Sequence, residues 1–197
     1  NKLKHSNPVK FFLDKNSINE CNDNFINMDK IISDSISIKK KKIIFISSWY
    51  NWYYLNKLII DKENNLIKSE DEYYKIIYND FQLFFSKHTN RNDLKFILML
   101  PLPTFHHSPS LCSINNTYCI LKFDNYQKQV SRLEKVFFKL TNEFKNVKIF
   151  DASSVFCDPK KNICSMKGKN EDFNISYRDK ENLSHYADVI MDEVFKF

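Results

Sequence analysis

The sequence predicts an α/β fold in which helices cover a parallel sheet. Two observations carry this. Short apolar runs, rich in β-branched and aromatic residues, recur at positions 43–48, 94–100 and 147–150. Between them lie longer segments whose apolar residues repeat at helical spacing. Strands separated by helices of that length need crossover connections, which favour parallel pairing with right-handed crossovers.

In chain order, the run Ile43-Ile44-Phe45-Ile46 reads as a buried strand. Residues 70–87 carry Tyr73, Ile76, Ile77, Phe81 and Phe84 on one helical face. The second strand, 94–100, is stopped by Pro101 and Pro103, which force an extended exit into a loop running to Cys119. A second amphipathic helix, 124–144, presents Val130, Leu133, Val136, Phe137 and Leu140. The third strand is 147–150. Residues 151–177 read as loop, and 183–195 as a closing helix capped by Asn182 or Ser184. In parallel sheets, active groups gather beyond the carboxyl ends of the strands. Three loops qualify: 47–51, 101–107 and 151–179.

A chain of 197 residues suits one domain, here spanning 1–197 with an irregular stretch at 1–20. With 43% hydrophobic and 15% aromatic residues, it is globular rather than disordered. The net charge of +6 comes from a composition crowded with Asn, Lys and Ile, so it argues only weakly for an anionic partner. Lysines 39–42 lack aromatic interleaving and directly precede an apolar run, the pattern of a solvated strand start. No nucleic acid is expected. No apolar run approaches the roughly 18 to 20 residues that span a bilayer, and the start, Asn-Lys-Leu-Lys-His, reads as the cut end of something longer.

Four of the five cysteines fall into two local pairs, Cys112 with Cys119 and Cys157 with Cys164, each seven positions apart. That spacing suits disulfide-closed loops in an oxidising compartment better than two free thiol pairs. Cys21 is left over, with a partner expected upstream. A metal site would need tighter Cys-x-x-Cys knuckles or interleaved His, and neither occurs. No cofactor is expected.

The most informative stretch is Tyr177-Arg178-Asp179-Lys180-Glu181-Asn182-Leu183-Ser184-His185. Upstream lie Phe156-Cys157-Asp158 with Cys164, then Leu100-Pro101-Leu102-Pro103-Thr104-Phe105 followed by Pro109 and Cys112, and the strand ending at Trp49. In this order the segments resemble the SGNH hydrolase superfamily, specifically the SGNH domain appended to acyltransferase-3-type membrane proteins that O-acylate cell-surface polysaccharides. The resemblance covers roughly residues 20–197. It implies a three-layer α/β/α, flavodoxin-like sheet and acyl-ester chemistry by a Ser-His-Asp triad. Ser attacks an acyl carbonyl, His takes its proton and Asp orients the His. It also implies a glycan acceptor, an acyl donor, tethering to a membrane acyltransferase portion, and a periplasmic or extracytoplasmic location.

Asp179 matches the family's catalytic acid. Three departures stand beside it. No Gly-Asp-Ser block occurs, the single glycine being Gly168, so the nucleophile and first strand are expected upstream. Asn182 occupies the His position, and an amide cannot accept and return a proton. Ser48 replaces the Arg beside Trp49. His185, six positions beyond Asp179, is a candidate substitute base, although a helix-start histidine is more often structural. Ser48, Trp49, Trp52 and His106 are the candidate substrate contacts. The aromatics from Trp49 to Tyr54 suit sugar stacking, but they equally suit packing beneath a following helix. The expectation is an impaired or inactive acyltransferase or esterase domain, or else a glycan-binding or scaffolding module of the same fold.

Overall fold

The computed structural model describes residues 32, 41–47, 67 and 69–168. Its elements are β1 (Lys42–Ile46), α1 (Glu70–Ser86), β2 (Leu94–Met99), two 3-10 turns (Pro109–Ser113 and Asn116–Cys119) and β3 (Ile120–Lys122). These are followed by α2 (Phe123–Glu143), β4 (Val147–Phe150), a one-turn helix α3 (Ser153–Phe156), β5 (Cys157–Asp158) and β6 (Ile163–Ser165). They fall into two compact units. One runs to Met99 and includes Arg132–Ile149; the other holds Leu100–Ser131 and the residues from Phe150 on.

The first unit is the expected α/β arrangement. Strands β1, β2 and β4 form a sheet in the order β1-β2-β4. β1 and β2 are parallel, with Lys42 opposite Leu94 and Ile46 opposite Leu98. Phe96 N–H donates to Asn146 O at 2.8 Å and Leu100 N–H to Phe150 O at 3.0 Å, so β2 and β4 also run in the same direction. α1 starts at Ser69, whose hydroxyl accepts from Glu72 N–H at 3.1 Å, and three acids in its first turn favour the helix dipole. Its buried face holds Tyr73, Tyr74, Ile77, Phe81, Phe84 and Phe85. Leu133, Phe137 and Leu140 of α2 are fully buried, as the periodicity requires.

The first strand departs from expectation. It was expected to be buried, yet Ile43 is 51% exposed and Phe45 43%, while Ile46 is buried. β1 is an edge strand of the described sheet, and successive side chains of a strand point to opposite faces. An apolar run read without its partners cannot distinguish a two-sided core strand from this one. β2, in the sheet centre, buries Leu94, Phe96, Ile97 and Leu98, as expected. The lysine run meets its charge partner at the strand start. Lys42 Nζ lies 3.2 Å from Asp93 Oδ2, and Arg91 grips the same carboxylate with two hydrogen bonds of 2.7 Å. The Arg91 guanidinium holds the Asp93 carboxyl well below the usual carboxylate range, with Lys42 adding to it.

The second unit contains a sheet where the sequence predicts loop. β3, β6 and β5 pair antiparallel in the order β3-β6-β5. Strands of two and three residues are too short to show an alternating pattern, so periodicity could not reveal them. Covalent and turn chemistry replace length. Asp158 accepts from the N–H groups of Lys160 and Lys161 at 3.0 and 3.4 Å, which turns the chain between β5 and β6. Asn162 completes that turn at φ 54°, a conformation Asn tolerates. It also opens α2. Its carbonyl accepts from Phe123 N–H at 3.1 Å, and its amide oxygen from Asp124 N–H at 3.0 Å. The closing helix expected at 183–195 lies outside the described residues.

Candidate functional site

Parallel strands present their carboxyl ends at one edge of a sheet, where the sequence places its candidate loops. Two of these loops, after β2 and after β4, belong to the second unit.

The loop after β2 leaves through Pro101 and is held by Tyr126 near the start of α2. The Tyr126 ring is buried, and its hydroxyl donates to Pro101 O at 3.1 Å. Asp151, which follows β4, lies 3.5 Å from the same hydroxyl and accepts from Ser153 N–H at 2.8 Å. One phenol therefore touches the chain leaving two strands. The shorter bond is the firm one; the longer is at the limit of hydrogen bonding. Asp151 and Asp158 each use Oδ1 to accept from backbone N–H groups, the role of turn formers. Sequence reasoning missed Tyr126. Its signal was a Tyr at an otherwise apolar helix position, since a buried Tyr usually finds a partner for its hydroxyl.

Further along the loop, Pro103, Phe105 and Pro109 are buried, while His106 and His107 between them are exposed on a bend. His106, a candidate substrate contact, therefore faces outward. The His107 ring lies 4.5 Å from that of Tyr118, tilted by 49°.

The expected disulfides, Cys112–Cys119 and Cys157–Cys164, are both present. The four half-cystines are buried in a common cluster with Phe105, Leu121, Tyr126, Val130, Phe156 and Met166. The two bridges are neighbours through β3 and β6. Cys119 O accepts from Met166 N–H at 3.0 Å, Leu121 stands opposite Cys164, and Cys112 Sγ lies 3.7 Å from Met166 Sδ. Cys157 and Cys164 face each other across β5 and β6. The bridges therefore fix the Pro-rich loop and the segment after β4 to one small core.

Among the described residues, no group of three or more His, Cys, Asp or Glu side chains is arranged to hold a metal ion. Nor is any helix among them long and apolar enough to cross a membrane. Asp179, Asn182 and His185, with Ser48, Trp49 and Trp52, lie outside the described residues, so the geometry joins His106 to none of them.

No curated protein and no solved structure matches the chain. The family comparison is positive: the model of the SGNH domain found fused to AT3 domains matches residues 5–196, nearly the whole chain. Residues 5–196 include the Pro-rich loop, the Cys157–Cys164 loop and the block at 177–185. The parallel sheet and the helices between its strands agree with it. The chain belongs to the family of SGNH domains fused to AT3 domains, and is an acyltransferase-associated module of α/β fold.

Proposed function

We propose that this module serves the O-acylation, in the simplest case O-acetylation, of a cell-surface polysaccharide, outside the cytoplasm and beside a membrane acyltransferase portion. The family match over residues 5–196 carries the proposal. Two disulfides fit an oxidising compartment. In this reading Asp179 is the acid of the triad, and Ser48, Trp49, Trp52 and His106 line the way to the acceptor. Excising residues 5–196 from the protein in its cell is expected to strip ester-linked acyl groups from the surface polysaccharide. An unchanged acyl content would overturn the proposal.

We further propose that the module's own proton transfer is weak or absent, because Asn182 stands where the family has His. An amide neither takes the nucleophile's proton nor returns it to the leaving group. His185, six positions beyond Asp179, is the candidate substitute base. Assayed in the protein with the upstream segment that is expected to supply the nucleophile, p-nitrophenyl acetate hydrolysis is expected at the background rate, with His185→Ala unchanged. A real turnover that His185→Ala abolishes would make His185 the base instead.

The same Asn182 favours a second reading, a non-catalytic glycan-binding or scaffolding module. Saccharide binding would then survive Asp179→Ala and be lost in Trp52→Ala. The opposite pattern would reject it.

A further inference from the structure

The second unit displays a ring pair that the acyl chemistry above does not use. Buried Phe105 and Pro109 flank the bend at His106 and His107, and both histidines are exposed. The start of that loop is fixed by the Tyr126 hydroxyl on Pro101 O, at 3.1 Å. The backbone that carries the partner ring is held as well. Tyr118 sits in the 3-10 turn Asn116–Cys119, and its N–H donates to Asn115 O at 3.0 Å. The Asn115 side chain accepts from Thr117 N–H at 2.9 Å, and the next residue after Tyr118, Cys119, is bonded to Cys112.

His107 is exposed and Tyr118 half-buried, with 4.5 Å between ring centroids. Two flat rings with polar edges thus meet on the loop that follows β2 in the chain, with the imidazole open to solvent. Sugar rings have the complementary build, an apolar C–H face bordered by hydroxyls. A Tyr offers such a face at little entropic cost, and less still when its backbone is already held. A merely structural His–Tyr contact would be expected to cover its apolar faces rather than leave the imidazole outside.

We infer that the exposed His107 ring, backed by Tyr118, stacks one sugar ring of the acceptor glycan. The inference rests on the O-acylation reading and names a subsite for it. The imidazole takes the C–H face of the sugar, while the phenol hydroxyl bonds a hydroxyl at its rim.

The test is an NMR titration of the isotope-labelled chain with maltotriose and, separately, with chitotriose. The His107 and Tyr118 ring signals are expected to shift with at least one of them, with affinity in the millimolar range. His107→Ala and Tyr118→Ala are each expected to weaken binding about 5-fold. Tyr118→Phe, which keeps the ring, should retain most of it. A free-thiol count of zero at the four bridge cysteines checks that each variant keeps its fold. Shifts confined to other residues, or alanine variants that bind like the parent chain, would overturn the stacking subsite and leave the O-acylation reading standing. No shift with either trisaccharide would also overturn it, and polysaccharide acyl content would then judge that reading separately.

Discussion

In the first unit six phenylalanines, Phe81, Phe84, Phe85, Phe96, Phe137 and Phe144, form a continuous chain of ring contacts, all of them buried. In the second unit the comparable place is taken by two disulfides, a methionine and a few apolar side chains. The first is stabilised by the apolar area that long elements bring together. The second has strands of two and three residues, which bury too little to hold themselves, and relies on bridges and turn hydrogen bonds. Of the candidate site residues, the described one, His106, lies on a loop of the second unit, whose core is held by covalent and polar ties.

The largest expected effect breaks the first half of this contrast. Phe96→Ala opens a void under Phe84 and Phe85 and is expected to cost roughly 4 kcal/mol in urea unfolding. A loss below 1 kcal/mol would mean that the ring chain is not the unit's mainstay. Next, replacing Cys157 and Cys164 by Ala releases a short loop and should cost about 2.5 kcal/mol. Hydrogen exchange should show the lost protection in β3, β5 and β6 before β1 and β2. Equal loss in both units would erase the distinction.

A smaller change sharpens it. Tyr126→Phe leaves the Pro101 carbonyl without its partner and should cost about 1 kcal/mol. The amide signals of residues 101–107 should broaden or move, while those of α1 stay in place. Signals of the loop that do not change would remove the clamp from the account.

The smallest effect concerns pH. An unfolded Asp titrates near 4, and Arg91 holds the folded Asp93 well below that. The unfolded chain therefore takes up the proton first as the pH falls. The stabilisation is complete above about 4 and drains away as the pH approaches the lowered folded value. Because the pair is solvent-exposed, the effect is small and weakened by salt. The melting curves of Asp93→Asn and the parent chain should differ at neutral pH and converge below about 4. Curves that stay parallel would show that Asp93 contributes nothing through its charge.

The sequence made the first unit legible because its elements are long. Apolar spacing in α1 and α2 predicts the buried faces that occur, and Pro101 ends β2 within a residue of the expected place. It overstated β1, since four apolar residues in a row hid the fact that Ile43 and Phe45 lie on an exposed side. In the second unit, cysteine spacing was readable where strand periodicity was not. Tyr126 and Asn162 act through hydrogen bonds to Pro101 and Asp124, 25 and 38 positions away, a distance no local pattern reports. The proposed roles of Asp179 and Asn182 rest on residue order alone, through the flanking Tyr177-Arg178.

The central claim is that Asn182 deprives an otherwise family-like block of its proton acceptor. The most direct test restores it: Asn182→His in the protein in its cell, with ester-linked acetyl on the surface polysaccharide measured by mass spectrometry. A gain on the order of 100-fold in initial acetylation rate, abolished by adding Asp179→Asn, is the expected result. A parent protein that already acetylates at the rate of the variant, and is indifferent to Asp179→Asn, would contradict it.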